Sequence, residues 1–127
     1  MQLVSLNDEE RKLVKKKVDR VVKNLVTSFA KKAEKPESHF AVPAQQLAEN
    51  CAKIVEDSVV SYQVQGNFTL CILKFSPASE TGFVMGVTKR NCECDQPVPE
   101  RAQQLALKRA VENYVTPLAT LKLGGLA

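Results

Sequence analysis

Apolar residues in the first third of the chain recur at three- and four-residue intervals. Leu13, Val14, Val18, Val21, Val22, Leu25, Val26, Phe29, Ala30 and Ala33 keep that rhythm, which lines one face of an α-helix. Ser5 or Asn7 can open the helix, and Asn7 stands three residues before Glu10, the spacing of a capping box. Asp8, Glu9 and Glu10 fall in the first turn, where the helix dipole favours acids. The pattern predicts a helix to about Ala33, roughly 40 Å long. That exceeds the width expected of so small a domain, so part of the stripe is expected to meet another chain.

Lys35-Pro36-Glu37-Ser38 breaks the helix. Pro43 suits the first turn of a second one, with Leu47, Cys51, Ile54, Val55 and Val59 as its buried stripe. The period then changes to two. Val60, Tyr62 and Val64 alternate with Ser61, Gln63 and Gln65, as in a half-buried strand. Gly66-Asn67 and the β-prone run Phe68 to Phe75 complete a hairpin. Ser76 to Thr81 reads as a turn and Gly82 to Thr88 as a third strand. Val98-Pro99-Glu100 opens a last helix with Ala102, Leu105, Ala106, Ala110 and Val111 on its apolar face and Pro117 as its limit. The tail, with Gly124-Gly125, reads as docked or frayed. The order α-α-β-β-β-α predicts an α+β fold, with helices segregated from a three-stranded antiparallel sheet.

At 127 residues the chain is read as one domain. Residues 5–60 form a helical part suited to oligomer contacts, and residues 60–127 form a sheet-plus-helix part. Apolar residues make up 44% and charged residues 25%, an ordinary balance for a soluble domain. No apolar run reaches the roughly 18 residues of a membrane span. The N-terminus has acids where a signal peptide needs a basic start, and a cytoplasmic protein is expected. The net charge of +4 favours an anionic ligand without demanding nucleic acid.

Enzyme signatures are scarce. His39 is the one histidine and lies in a Pro-flanked connection, where a surface role is the plainer reading. No nucleophile elbow, phosphate loop or dinucleotide fingerprint is present. Cys92-Glu93-Cys94 is spaced more tightly than structural zinc ligands. It reads as two loop thiols whose pKa values Lys89 and Arg90 can lower. No metal, no cofactor and no catalytic set are expected.

Polar chemistry concentrates between Gly82 and Val111. Thr88, Lys89, Arg90, Asn91 and Asp95 sit in or beside the loop after the third strand, with Lys108 and Arg109 on the helix. Lys89 and Arg109 can pair with phosphates, Arg bidentately. Asn91 can read a base or ribose edge, and Phe83 and Phe75 can offer a stacking face. An equal alternative is that Arg109 pairs with Asp95 or Glu112 and pins the loop to the helix.

The run GVTKRN-x-x-x-D, followed by LALKRA on a helix, resembles the first Thoeris anti-defence family of phage proteins. The likeness covers about Tyr62 to Val111 and the long first helix; where the family often places Pro after the Asn, this chain has Cys92. The resemblance implies a sponge that sequesters cyclic ADP-ribose-type immune signals in the host cytosol without degrading them. It implies a homo-oligomer, a dimer or a hexamer built from dimers. The pocket would lie at the dimer interface, with Phe83 stacking and Asn91 and Arg109 making polar contacts. It also implies a second site for cyclic oligonucleotides, sought among the cations of the first helix at Lys16 and Arg20. Two other classes stay open from the residues: a nucleic-acid-binding module, and an interaction protein acting through its long amphipathic helix.

Overall fold

A four-stranded antiparallel sheet with its helices on one face forms the structure, a computed structural model describing residues 2–75, 82–89 and 99–127. The elements are β1 (Val4–Ser5), α1 (Asp8–Ala33), α2 (Ala41–Glu56), β2 (Val59–Gln65), β3 (Phe68–Lys74), β4 (Phe83–Lys89) and α3 (Pro99–Gly124). A 3-10 turn at Glu37–His39 joins α1 to α2. The strand order is β1-β2-β3-β4. The class is α+β as expected, but the sheet has four strands and not three. The additional strand is the two-residue β1, paired with Val59 and Val60 of β2. Two residues are too few to show a period, and Ser5 reads equally well as a helix cap.

Helix α1 opens on the expected capping box. The Asn7 side chain accepts the Glu10 N–H at 2.8 Å, and Glu10 Oε1 accepts the Asn7 N–H at 3.0 Å. The other carboxylate oxygen of Glu10 accepts the Tyr62 hydroxyl of β2, so one side chain caps the helix and ties it to the sheet. Val14, Val18, Val21, Val22, Val26 and Ala30 are buried against α3 and α2. Leu13, Leu25, Phe29 and Ala33 are half-buried. Much of the stripe is thus covered within the chain, because α3 matches α1 in length at 26 residues. In α2 the buried positions are Ala44, Leu47, Cys51, Ala52 and Val55. Ile54, expected inside, is 42% exposed.

Helix α3 begins at Pro99, where a proline costs no hydrogen bond, and continues through Pro117 to Gly124. The expectation that Pro117 limits it fails. Pro117 removes one rung of the ladder, but Val115, Ala119 and Leu123 are all fully buried and hold the final turns in place. The tail is docked. His39 Nε2 donates to the Leu126 carbonyl at 2.9 Å, and Lys35 Nζ approaches the same oxygen at 3.4 Å. Among the described residues no helix is long and apolar enough to cross a membrane.

The helix-facing side of the sheet carries Val60, Cys71 and Leu73, all buried, with Gly86 of β4 opposite Cys71. Gly86 is where α3 comes closest. A Cβ there would collide with the Ala106 carbonyl oxygen and the Ala110 backbone nitrogen. Ala106 and Ala110 are themselves fully buried, so small residues on both sides permit the approach. Gly86→Val is expected to cost about 2–3 kcal/mol or more, because the obstructing atoms are backbone and cannot rotate away. Gly66→Ala, in the open hairpin turn at φ 60°, should cost only about 1 kcal/mol. Urea denaturation compares them, and a Gly86→Val protein as stable as wild type would refute this account of the docking.

Candidate anion-binding groove

Of the polar residues that crowd one stretch of sequence, those the structure describes do not gather in space. Phe83 and Lys89 share the outer face of β4 at its two ends, roughly 20 Å apart along the strand. Thr88 is buried at 6% exposure on the opposite, helix-facing side, since neighbours in a strand point to opposite faces. It is thereby turned away from any ligand that Lys89 could hold. Lys89 Nζ lies over the Phe68 ring, 5.7 Å from its centroid. Arg90, Asn91 and Asp95, like Cys92 and Cys94, lie outside the described residues.

Lys108 and Arg109 separate as well, because consecutive helical residues point about 100° apart. Arg109 Nη1 donates to the Val87 carbonyl at 2.7 Å, and Asn113 Nδ2 donates to the Met85 carbonyl at 2.8 Å. Both acceptors belong to β4, which pairs on its other side with β3. The guanidinium therefore covers the edge of β4 that no described strand pairs with, and pins strand to helix. Its alternative partner Glu112 is instead engaged by Lys17 of α1, Nζ to Oε2 at 3.2 Å.

Lys108 turns toward α1, and there a different set of cations meets. Lys12, Lys16 and Arg20 stand at i, i+4 and i+8 of α1, one per turn on a single face. With Lys108, Gln104 and Glu9 they line a groove between α1 and α3 enclosing about 480 Å³. Lys17 also borders it but is offset by Glu112. Among the described residues none of Lys12, Lys16, Arg20 and Lys108 is in an ion pair. The two cations expected to form a second site, Lys16 and Arg20, thus share one groove with a cation assigned to the first. Lys12, Gln104 and Glu9 were not among the expected site residues: Lys12 is one of several first-helix cations, and Glu9 reads as a first-turn acid. Taking Gln104, Lys108 and Glu112 at four-residue steps as the α1-facing side of the last helix would have found the partner wall.

The groove has a second end of different chemistry. Around the start of α1 it continues into a recess of about 240 Å³ bordered by Asn7, Glu10, Tyr62, Glu100 and Gln103. Glu9, Leu13 and Gln104 border both parts. One end offers positive charge for phosphates; the other offers amides and carboxylates that can hydrogen-bond hydroxyls and base edges. Cys51 and Cys71 are buried free thiols, and no group of three or more potential metal ligands occurs among the described residues. The chain matches no protein-family model, no curated protein and no solved structure.

Burial sets the titration of the sheet core. It pushes the Cys71 thiol up from its ordinary 9.0 to about 12, with the Glu10 charge adding to the shift. Burial raises the Tyr62 phenol too, reinforced by its bond to Glu10. Both groups stay protonated in the fold at pH values where the unfolded chain has begun to release those protons. The unfolded state then binds fewer protons, so stability falls as pH rises. Denaturation midpoints are expected to decline from about pH 9 toward pH 12, and Cys71→Ala should flatten the lower part of that decline. An unchanged slope in the variant would remove Cys71 as a cause.

Proposed function

We propose that the protein is a non-catalytic binder of phosphate-bearing, nucleotide-derived molecules, held in the groove between α1 and α3. The observation that carries this reading is the convergence of Lys12, Lys16, Arg20 and Lys108 from two helices, without ion-pair partners among the described residues, beside a recess of amides and carboxylates. Phosphates would take the cationic end, with Arg20 able to engage two oxygens at once. Ribose hydroxyls and a base edge would take the end bordered by Gln103, Gln104 and Glu100.

Within that class, the likeness to the Thoeris anti-defence proteins favours sequestration of a cyclic ADP-ribose-type or cyclic oligonucleotide immune signal. A sponge needs tight binding and no reaction; competing with a host receptor requires nanomolar affinity, on the order of −12 kcal/mol. The groove, and not the strand-loop-helix joint, is the site on this reading. Arg109 supports the fold and Phe83 stands on the far face of the sheet.

Calorimetry with cyclic ADP-ribose isomers, cyclic trinucleotides, ATP and pyrophosphate tests the proposal. At least one nucleotide is expected to bind well below micromolar and more tightly than pyrophosphate. Lys16→Glu/Arg20→Glu should weaken it by at least about 100-fold, near 3 kcal/mol, whereas Arg109→Ala should lower stability and leave affinity within a few-fold. Recovery of intact ligand after heat denaturation separates sequestration from turnover. No binding tighter than micromolar across the panel, or binding lost in Arg109→Ala alone, would overturn it; a steeply salt-dependent affinity for duplexes only would assign the cations to nucleic acid.

A further inference from the structure

The outer face of the sheet is apolar across β3 and β4, and no described element covers it there. All three helices lie on the other side, yet Phe83, Phe68, Met85 and Val87 stand 58%, 48%, 47% and 45% exposed. Leu70 and Ile72 lie between them in β3 and are only half-buried. Contiguous apolar surface of this kind marks an interaction site. Among the described residues of β2, β3 and β4 the charged side chains are Lys74 and Lys89 alone. The face therefore carries no carboxylate with which to meet a basic partner.

We propose that this face is covered by a second copy of the chain, stacked sheet on sheet about a two-fold axis that lies between the sheets and crosses the strands at Cys71. The register supplies the reason. Such an axis lays each strand over its own counterpart with direction reversed. Position 68 then faces 74, 70 faces 72, 83 faces 89 and 85 faces 87. The two lysines thus land on the two phenylalanines: Lys74 on the partner's Phe68, Lys89 on the partner's Phe83. The aliphatic residues meet one another, Ile72 on Leu70 and Met85 on Val87. Every cation finds an aromatic ring, an arrangement stabilised by the ring quadrupole.

Pairing through the β4 edge is a competing mode, and the structure opposes it. The outward carbonyls of Met85 and Val87 on β4 already accept from Asn113 and Arg109, so another strand would have to displace both. Stacking leaves these bonds intact. Three strands of seven residues span roughly 14 by 23 Å, about 320 Å² of flat area per partner, at the small end of protein interfaces. The dimer is accordingly of micromolar strength.

Sedimentation at about 100 µM, above the dissociation constant expected of such an area, tests this directly. Wild type is expected at twice the 14.0 kDa chain mass, dissociating on dilution. Val87→Glu and Met85→Lys each bury an unpaired charge in the stack and should weaken the dimer at least about tenfold. Because positions 85 and 87 face each other between copies, Met85→Lys/Val87→Glu should recover much of the loss. All four proteins should keep the same circular dichroism and, at dilutions where each is monomeric, the same melting temperature, since both positions are exposed in the single chain. Wild type at chain mass, single variants that dimerise like wild type, or a double variant no better than the singles would each overturn the proposal. A monomer that sediments with lipid vesicles would assign the face to a membrane and overturn it equally.

Discussion

The contact that organises this protein is the approach of α3 to β4 at Gly86. Nothing larger than hydrogen fits there, because the Ala106 carbonyl and Ala110 nitrogen occupy the space of a Cβ. Once the helix sits that close, its azimuth is fixed. Residues 106 and 110 face the sheet, Arg109 and Asn113 reach over the open edge of β4, and Lys108 and Glu112 face α1. The groove and the closed edge are thus two consequences of one docking, and both depend on a residue that has no side chain.

The layering follows from the same constraint. Helix α3 lies between the sheet and the other two helices, so its buried residues, from Ala106 through Leu123, serve two neighbours at once. Alanine and valine dominate because two close packings leave little room for larger side chains. Phe40 is the one aromatic among the largest fully buried side chains. At the other end of the core Glu10 caps α1 and accepts from Tyr62, which sets the start of α1 against β2. Between these anchors the two 26-residue helices run side by side, and a row of cations one turn apart on α1 becomes a wall.

Local signals set most element boundaries, and the failures share a cause. The capping box at Asn7, the break near Pro36, the hairpin at Gly66 and the start at Pro99 rest on short-range chemistry, and each appears as expected. Pro117 also sends a local signal, to stop, but the burial of Val115, Ala119 and Leu123 overrides it. The short β1 has no local signal at all and exists only because β2 offers an edge. The candidate site was the least legible part. Thr88 and Lys89 are adjacent in sequence but on opposite faces of a strand; Lys108 and Arg109 are adjacent but on different sides of a helix. Counting polar residues along a line treats them as one cluster, whereas the periods of two and 3.6 divide them. Lys12, Lys16 and Arg20 are spread over nine positions and form one surface for the same reason.

The bare sheet face and the cationic groove lie on opposite sides of that central helix layer, and this separation bears on how the protein would work. A pocket at a dimer interface must be assembled before it can bind, so its occupancy falls with protein concentration. A groove between α1 and α3 belongs to a single chain. Stacking two copies through their outer sheet faces leaves both grooves open and apart, with the like charges of the two cation rows kept at a distance by the intervening sheets. Pairing would then hide hydrophobic surface while capacity stays at one ligand per chain. For a protein that acts by stoichiometric capture, that division is advantageous, since assembly protects the sheet without making binding depend on it.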